Sequence, residues 1–437
     1  MIDMTLDGPG GRPLRLFDHH MVLQRDTVVP VWGKAAPGEA VQVTIASQTK
    51  STVAGLDGRW RVELDPFPAG GPYNMAIVGN STVRLADILF GDVWVMAGQS
   101  NLMIKRPRSG EMDQSPEARV FKRTWEDRPG DVPFNFARVM NLELGVPIGV
   151  LQRTMRGSSG LVRTWLGPEA ANSTDPVILE IVNSGNFGQS YASVIEGVAG
   201  LAIKGVIWWQ GEADLRSRSD PGELYGHIFP AVIQSWRSAW QQGPFPFLFV
   251  QEPVGRGYQP EQVAPDPLPD PNPTPRVGRL RQAYLKALEL EQTQVITSAD
   301  LVGGLHPKDR EGYVDRIQAA VLGFVYGYEM TFAGPTFQGM TIEDGNRVRL
   351  RFRQGTATGL HARGGPLQGF SISGDGETFV WANSVIEGEE VLVWHDSIPA
   401  PAVVRYGYDL NFTFANLFNE SGMACPTFTT ELSPSVP

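Results

Sequence analysis

Five compact apolar runs along the middle of the chain constrain its fold more than any other sequence feature. Runs of this length suit strands that are buried on both faces, as in a parallel sheet. Helical patterns of apolar residues separate several of them, at about residues 134–144, 190–201 and 279–290, and another helix is predicted over about 314–328. This alternation predicts an α/β domain built on a parallel sheet. The runs are Asp92–Ala97, Pro147–Arg153, Gly205–Trp209, Pro246–Gln251 and Gln294–Ser298.

The segments on both sides of this α/β part have the pattern of antiparallel β structure. Short runs rich in Val, Thr, Ile and Trp, such as Ala40–Ile45 and Glu390–Trp394, alternate with turn signals. Such spacing is typical of β-sandwiches. The 49 glycines and 34 prolines exceed ordinary usage and fit a chain with many turns. We therefore predict an N-terminal β domain over residues 1–90, an α/β domain over 91–330 and a C-terminal β domain over 331–437, with both β parts sandwich-like.

Charge and cysteine content argue against several classes of partner and cofactor. Lys and Arg number 37 against 47 Asp and Glu, and the net charge of −10 argues against nucleic acid or an anionic membrane as a partner. Cys425 is the single cysteine, so neither an internal disulfide nor a Cys-based metal site is expected. The sequence has no phosphate loop, dinucleotide fingerprint or His-x-x-x-His pair. We therefore expect no metal and no cofactor.

The N-terminal sequence and the length of the apolar segments indicate where in the cell the protein is located. No segment reaches about 18 uninterrupted apolar residues, so no membrane-spanning helix is predicted. The first residues lack an apolar run of signal-peptide length. This favours a cytoplasmic location for the chain as given, and a periplasmic or secreted one if a signal has been removed. The sequence makes no prediction about oligomeric state.

The strongest candidate for chemistry is Ser100, which lies in the sequence GQSN directly after the first of the five runs. Ligands of open parallel sheets bind beyond the carboxyl ends of the strands. A helical turn beginning there would aim backbone N–H groups at a developing anion. Leu102 occupies the place of the second glycine of a G-x-S-x-G elbow, so this is not the turn of an α/β-hydrolase. A merely polar turn is the alternative interpretation.

Two further candidates follow the third and the fifth run. Gln210 and Glu212 come directly after the third run, where a glutamine amide can donate to an oxyanion and a carboxylate can orient a base or act as an acid. Asp300 and His306 follow the fifth run, and this position makes His306 the best of six histidines for a general base. Solvated turns and a structural histidine are the alternatives. The order Ser, Gln/Glu, His at strand ends nevertheless favours a serine hydrolase.

With these residues in place, the chain resembles the sialate O-acetylesterase family within the SGNH (GDSL-like) hydrolases. The resemblance extends over almost the whole chain. It includes an N-terminal motif, the serine block, a Gln-Gly-Glu block, an Arg-x-x-Gln helix, a His-Pro block and short motifs of the C-terminal β part. These are Met21–Arg25 with Val31–Gly33, Gly91–Asn101, Gly205–Glu212, Arg279 with Gln282, His306 with Pro307 and Arg310, and Gly369-Phe370, Arg405-Tyr406 and Asn416-Leu417.

The resemblance implies an SGNH-hydrolase-like catalytic domain over residues 91–330 and hydrolysis of O-acetyl esters on a carbohydrate substrate, without a cofactor. Ser100 is expected to attack the acetyl carbonyl while His306 accepts its proton and returns it to the sugar hydroxyl. Water then releases acetate from the acetyl-Ser100 intermediate. The oxyanion is expected to be held by the Ser100 N–H, an N–H of the family's second block and the Gln210 side chain.

The second block departs from the family pattern. It usually reads Gly-Gly-Thr before a Trp, but here the Trp is Trp165 and the preceding residues include Ser158, Ser159 and Gly160. A backbone N–H of this block can still serve the oxyanion, and the sequence leaves open which of the three residues supplies it. Arg163 occupies a position that is commonly acidic, so contacts to the substrate are expected to differ.

The surroundings of the histidine also depart from the pattern. Many SGNH enzymes have Asp three residues before the histidine, but here that position is Gly303. Either another residue orients His306 or the enzyme works as a Ser-His dyad. We consider Asp300 and Glu212 as the orienting residue and slightly favour Glu212, because it lies beside Gln210.

The substrate is predicted only as a class. A sialic acid carboxylate would require an Arg or Lys nearby, which Arg163 offers, whereas acetylated xylan would use aromatic platforms such as Trp165 and Trp209. Asn101, next to the nucleophile, is a further candidate for substrate binding. Trp209 also fits a core position of a buried strand. Sialate and xylan esters are therefore nearly equal candidates, and an inactive carbohydrate-binding protein on the same fold is the alternative function.

Overall fold

The structure, a computed structural model, describes residues 2–5, 14–103, 115–126, 131–217, 221–251, 268–272, 276–301, 307, 310–408 and 414–432. Two compact units make up the chain. The first consists of Met1–Trp208 with Ala231–Phe247, and the second of Trp209–Pro230 with Leu248–Pro437.

The first unit begins with strands that alternate in burial. In the strand Arg59–Leu64 every second side chain is buried, as expected for a strand with one face towards a core. The second of these strands pairs with the fifth, the third with the fourth and sixth, and the sixth with the seventh, all antiparallel. The seven strands are β1 (Val22–Gln24), β2 (Val29–Lys34), β3 (Ala40–Ile45), β4 (Gln48–Val53), β5 (Arg59–Leu64), β6 (Gly70–Val78) and β7 (Thr82–Gly98).

Strand β7 is 17 residues long and changes partners along its length. Its first half pairs antiparallel with β6, and its second half pairs parallel with the strand Ile148–Thr154. A side chain at Gly91 would meet the Pro147 carbonyl oxygen at 1.9 Å, so only glycine permits this approach. The strand runs without a break across residue 90, where we placed a domain boundary; the division into three domains stays a prediction.

The remaining elements of the first unit complete a sheet with the order β11-β7-β10-β8-β9. In it β7, β10 and β8 run parallel, and β9 is antiparallel to β8. Helix α1 is capped at both ends, because the Asp131 side chain accepts from the Phe134 N–H and Gly145 is left-handed with φ 63°. The elements are β8 (Ala118–Phe121), β9 (Trp125–Glu126), α1 (Val132–Leu144), β10 (Ile148–Thr154), α2 (Pro176–Asn183) and β11 (Gly205–Trp209).

The segment 190–201, which we predicted as a helix, is not a regular α-helix. It forms a π-helical turn over Tyr191–Ile195 and a 3₁₀ turn over Glu196–Val198. Gly197 lies in the 3₁₀ turn and Gly200 has a φ of 88°, so the chain lacks the side-chain support that continues a helix.

Within its described residues, the second unit contains the helices α3, α5 and α6 and the first half of α4. It also contains two neighbouring strands, β12 and β13. The longest helix, α4, was not predicted. Its apolar sequence pattern is interrupted by Gly222, Gly226 and Pro230. Its buried side chains nevertheless follow helical spacing from Tyr225 to Trp240. The elements are α3 (Glu212–Leu215), α4 (Pro221–Trp240, of which the part after Pro230 belongs to the first unit), β12 (Phe247–Val250), α5 (Arg276–Leu285), β13 (Thr293–Ile296) and α6 (Glu311–Tyr326).

The rest of the second unit is antiparallel β structure. Two four-stranded sheets have the orders β14-β15-β20-β19 and β18-β17-β21-β23, and β16 pairs with β22. Apolar side chains from these strands form one core, in which Cys425 is fully buried. The strands are β14 (Phe337–Glu343), β15 (Arg347–Phe352), β16 (His361–Ala362), β17 (Phe370–Ser373), β18 (Val380–Trp381), β19 (Asn383–Glu387), β20 (Glu390–Trp394), β21 (Val403–Tyr406), β22 (Leu417–Phe418) and β23 (Phe428–Thr429).

The fold class predicted from the sequence is confirmed: a parallel sheet with helices, and antiparallel β structure towards both ends of the chain. In the described part of the chain, no helix has the length and apolar character needed to cross a membrane.

Candidate active site

The serine turn, residues Gly98–Leu102, follows the last residue of β7. Gly98 has a φ of 144°, and Gln99 is extended before a short 3₁₀ helix over Ser100–Leu102. Within the turn, the Leu102 N–H donates to the Gln99 carbonyl oxygen (3.1 Å), and the Met103 N–H donates to that of Ser100 (2.9 Å). Ser100 is half-buried. The turn therefore presents Ser100 at the carboxyl end of a buried parallel strand, where such sheets bind ligands.

Strand β10 holds the serine turn at both of its ends. The Met155 N–H donates to the Gly98 carbonyl oxygen (3.0 Å), and the Gln152 side-chain amide donates to the Leu102 carbonyl oxygen (2.6 Å). Both donors belong to or directly follow a fully paired strand. The position of Ser100 is thus fixed by backbone carbonyl groups on each side of it.

The middle of β7 is anchored by a buried carboxylate, Asp92. Asp92 accepts two hydrogen bonds from the Arg25 guanidinium, from Nε at 3.1 Å and Nη2 at 3.0 Å, and a third from the Gln24 amide at 3.0 Å. The Gln24 side-chain oxygen in turn accepts from the Val93 N–H (2.8 Å). Arg25 of the N-terminal motif and Asp92 of the serine block therefore form a bidentate ion pair. Such a pair fixes the relative position of the two segments.

The second block packs against the serine turn through Gly160. It forms a 3₁₀ helix over Gly157–Gly160. A Cβ at Gly160 would lie 2.5 Å from Nε2 of Gln99 and 2.9 Å from its Cγ and Cδ. The backbone of Gly160 therefore lies against Gln99, the residue before the nucleophile. Ser158 belongs to the same short helix, and the Ser159 side chain is exposed.

Hydrogen bonds from neighbouring side chains hold the second block in place. The Ser159 carbonyl oxygen accepts from Thr164 Oγ1 (3.0 Å) and from Ser190 Oγ. These two hydroxyl groups also bond each other at 2.7 Å. The Gly160 carbonyl oxygen accepts from Trp165 Nε1 at 3.3 Å. The block is braced by buried donors that do not depend on a ligand.

Trp165 is a core residue rather than a sugar platform. Its side chain has no exposed surface, and its ring packs against Trp208 and Trp236. Trp209 is also fully buried and stacks on Tyr313 with a centroid distance of 4.6 Å. The structure thus corrects our assignment of both tryptophans to substrate binding, because neither ring has an open face on which a sugar can stack.

The other two residues assigned to substrate binding differ in accessibility. Asn101 is fully buried and lies inside the 3₁₀ helix of the serine turn, where its side chain has no surface to offer a substrate. Arg163 is half-buried. Its carbonyl oxygen accepts from the Leu166 and Gly188 N–H groups, so its backbone is held while part of its side chain reaches solvent.

In the second unit, the Gln210 cluster consists of Gln210, Glu212, Asp214, Tyr225 and Tyr284. Gln210 is fully buried directly after β11. Its side-chain amide donates to Asp214 Oδ2, and its side-chain oxygen accepts from the Tyr225 hydroxyl (2.9 Å). The Tyr284 hydroxyl donates to its backbone carbonyl oxygen. The orientation of the Gln210 amide is therefore determined at both of its polar atoms.

Glu212 has a raised pKa. The side chain is 4% exposed, and its pKa is about 7, raised mainly by burial and also by the Asp214 charge. The Glu212 and Gly211 backbone N–H groups and Arg216 act to lower it. A carboxyl group with a pKa near neutrality in a buried site suits acid–base or orienting work.

Asp300 is engaged in an ion pair with α6. Its Oδ2 accepts from Arg316 Nη2 at 2.7 Å, and burial raises its pKa while the Arg316 charge opposes that rise. Its other oxygen, Oδ1, is buried and has no hydrogen-bond partner among the described residues. His306 itself lies outside the described residues, so the choice between Asp300 and Glu212 as its orienting residue stays a prediction.

The structure thus assembles two groups of the predicted residues. Ser100 and Gly160 belong to one constellation in the first unit, and Gln210 and Glu212 to another in the second. Our sequence analysis missed Asp214 and Tyr225, which fix the Gln210 side-chain amide, and Tyr284, which donates to the Gln210 backbone carbonyl oxygen. Asp214 was detectable as the residue four positions after Gln210, but the two tyrosines come from separate helices and carry no local signal.

A parallel sheet with a serine turn at its carboxyl end, accompanied by antiparallel β structure, is the architecture that we expected for an SGNH-like hydrolase. No family model matches the chain. A carbohydrate acetylesterase from Xanthomonas citri superposes with a TM-score of 0.78 at 27% identity, covering 95% of this chain and 98% of that one. Sialate O-acetylesterases from Homo sapiens and Mus musculus are each 24% identical, covering 75% of this chain and 74% and 76% of those proteins. The chain is thus similar to sialate O-acetylesterases and to a carbohydrate acetylesterase.

Proposed function

We propose that this protein is a serine esterase that removes O-acetyl groups from carbohydrates through an acetyl-Ser100 intermediate. The observation that carries the proposal is the serine turn, which sets a half-buried Ser100 at the carboxyl end of β7 and packs through the neighbouring Gln99 against the backbone of Gly160. Similarity to a carbohydrate acetylesterase and to sialate O-acetylesterases supports the acetyl ester as the group attacked.

The proposed reaction has two halves. In the first, Ser100 Oγ attacks the acetyl carbonyl carbon, His306 takes the hydroxyl proton, and the sugar oxygen leaves with that proton. In the second, His306 takes a proton from water, which attacks the acetyl-enzyme and releases acetate and free Ser100. The backbone N–H groups of Ser100 and Gly160 are the proposed oxyanion donors.

The Gln210 cluster has two proposed roles. The fixed amide of Gln210 is a further oxyanion donor, because it needs no reorganisation when charge develops. Glu212 is the proposed partner that orients His306, with Asp300 as the alternative. The existing ion pair of Asp300 with Arg316 gives it a structural role of its own, which favours Glu212 for the orienting one.

The proposal is tested by acetate release from 9-O-acetylated sialic acid and from acetylated xylan, compared between the wild type and Ser100→Ala. We expect release by the wild type and a fall of about 10⁴-fold or more in the variant. Ser159→Ala is the matched control, because it removes an exposed serine hydroxyl of the second block and is expected to keep most activity.

The better of the two substrates defines the natural sugar class. A preference for butyryl over acetyl p-nitrophenyl esters, or full activity in Ser100→Ala, would contradict the proposal. A folded wild type that releases acetate from neither polymer nor p-nitrophenyl acetate would instead support a carbohydrate-binding protein on the same fold.

A further inference from the structure

A second candidate binding site lies in the first unit, on the N-terminal strands. It is a cavity of about 680 Å³, within the range of 300–1,000 Å³ that is usual for small-molecule sites. We call it the basic groove. The side chains that define its chemistry are Trp32, Lys34, Arg59, Trp60, Arg61 and Glu196.

The register of two strands explains why the basic groove is cationic. In the β2–β5 pair, Trp32 lies opposite Arg61 and Lys34 opposite Arg59. Directly opposed residues of an antiparallel pair, and residues two apart on one strand, share a face. One face of this short ribbon therefore carries an indole ring and three cations, and all four line the cavity.

The cations are accessible to a ligand. The side chains of Arg59 and Arg61 are 78% and 54% exposed, and their partners in surface ion pairs are Asp57 (3.7 Å) and Glu63 (3.3 Å). Exposed pairs of this kind contribute little, about 0–1 kcal/mol. Neither acidic partner lines the cavity, whose lining includes Glu196 as its single carboxylate. A ligand carboxylate therefore meets an excess of positive charge.

The aromatic residues give the basic groove an apolar surface as well. Trp32 is half-buried and is held by an edge-to-face contact with Phe17, with ring centroids 4.8 Å apart. Trp60 also lines the cavity, but it lies between Arg59 and Arg61 on β5 and is 3% exposed, so its side chain points to the opposite, buried face of the strand. The apolar surface offered to a ligand is therefore the half-exposed ring of Trp32.

We propose that the basic groove binds a saccharide that carries a carboxylate, at a site separate from Ser100. A pyranose ring matches the half-exposed indole of Trp32, and a sugar carboxylate matches the planar guanidinium groups of Arg59 and Arg61. The carboxylate belongs either to a sialic acid or to a uronic acid. The proposal does not depend on the esterase reaction, since none of the residues that carry it lies in the serine turn or the Gln210 cluster.

Calorimetric titration of the full-length protein tests the proposal with four non-acetylated probes. These are sialyllactose and its neutral counterpart lactose, and a glucuronic acid-bearing xylotriose and its neutral counterpart xylotriose. We expect at least one acidic probe to bind ten or more times more tightly than its neutral counterpart, and its affinity to fall with added salt. The better acidic probe identifies the source of the carboxylate.

Substitutions locate the binding. Arg59→Gln combined with Arg61→Gln is expected to weaken the acidic probe at least tenfold, and Trp32→Ala to weaken it severalfold. Arg84→Gln, which removes an exposed arginine of β7 outside the cavity, is the matched control and is expected to bind as the wild type does. All variants are expected to hydrolyse p-nitrophenyl acetate at the wild-type rate, which also shows that they are folded.

Three results would overturn the proposal. They are equal affinity for acidic and neutral probes, unchanged affinity in the double arginine variant, and competition between the acidic probe and p-nitrophenyl acetate hydrolysis. The last result would assign the bound saccharide to the catalytic site. Loss of esterase activity in Ser100→Ala has no bearing on these outcomes, so the two proposals fail independently.

Discussion

The serine turn of the first unit and the Gln210 cluster of the second reach their order by different means. In the serine turn, backbone carbonyl groups are held by donors from β10, and a glycine allows close approach to Gln99. In the Gln210 cluster, buried polar side chains hold one another. The first arrangement depends on shape and the second on charge and protonation. We therefore expect the turn to be sensitive to added volume and the cluster to be sensitive to pH and to lost hydrogen bonds.

Among the substitutions that probe this comparison, the largest effect is expected at the Gln210 amide. Gln210→Ala should lower kcat by about 10²–10³-fold with little change in KM, because an oxyanion donor acts mainly in the transition state. Tyr225→Phe is the matched variant, since it removes the hydroxyl that orients the amide and leaves the amide in place; we expect a loss of about tenfold. Steady-state kinetics with p-nitrophenyl acetate measures both. An unchanged kcat in Gln210→Ala would remove Gln210 from the oxyanion hole.

The protonation of the cluster is tested by Glu212→Gln. Because the pKa of Glu212 is raised from 4.5 to about 7 on folding, the folded state binds this proton more tightly than the unfolded state. The wild type should therefore lose stability as the pH rises from about 4.5 to 7, by on the order of 3 kcal/mol, whereas the amide of the variant does not titrate. Between about pH 4.5 and 7, the free energy of unfolding of the variant should therefore rise by that amount relative to the wild type.

Urea unfolding at several pH values measures the difference between the two proteins. Glu223→Gln, which removes an exposed carboxylate of α4 in the same unit, is the matched control. A constant difference between Glu212→Gln and the wild type from pH 4.5 to 8 would contradict the raised pKa.

The shape of the serine turn is tested by Gly160→Ala. The added Cβ overlaps the buried Gln99 side chain along its length, at Cγ as well as at Nε2, so the turn must shift. A displacement near 1 Å at a reacting group costs about 10²-fold, and we expect a fall of that size in kcat/KM. Ser159→Ala, one residue earlier and exposed, should retain most of the activity. Equal activity in the two variants would show that the second block does not position the turn.

The smallest effect is expected from Trp165→Phe, which separates a core role from a substrate role. The substitution removes the hydrogen bond to the Gly160 carbonyl oxygen and some packing against Trp208 and Trp236. We expect a loss of about 1–2 kcal/mol in the free energy of unfolding with an unchanged KM for acetylated xylan. Denaturant unfolding and steady-state kinetics give the two quantities. A severalfold rise in KM without a loss of stability would restore the platform assignment.

The comparison also separates what sequence can predict from what it cannot. The strand before Ser100 was predictable because its residues form one continuous apolar run. The long helix α4 was missed because glycine and proline obscure a spacing that is regular in its buried side chains. Trp165 was misassigned because a tryptophan near a catalytic motif fits a platform or a core equally well until its burial is known.

Contacts between distant parts of the chain were beyond the reach of sequence patterns. The approach of Gly160 to Gln99 joins residues on different elements, and glycine alone does not reveal which neighbour requires it. The raised pKa of Glu212 arises from burial, which no local motif encodes. Sequence patterns thus predict the reactive groups, while the environment that sets the pKa of Glu212 is defined by the tertiary structure.

The length of β7 has a consequence for how this protein can be divided. Its residues 82–90 are hydrogen-bonded into the N-terminal strands, and the same strand ends at the serine turn. A chain shortened to begin at residue 91 would start within a strand, without the Arg25 guanidinium that neutralises Asp92. Truncation or recombination at that point therefore removes or replaces contacts that hold the strand before the nucleophile. The N-terminal strands cannot be separated from the rest of the first unit as an independent module.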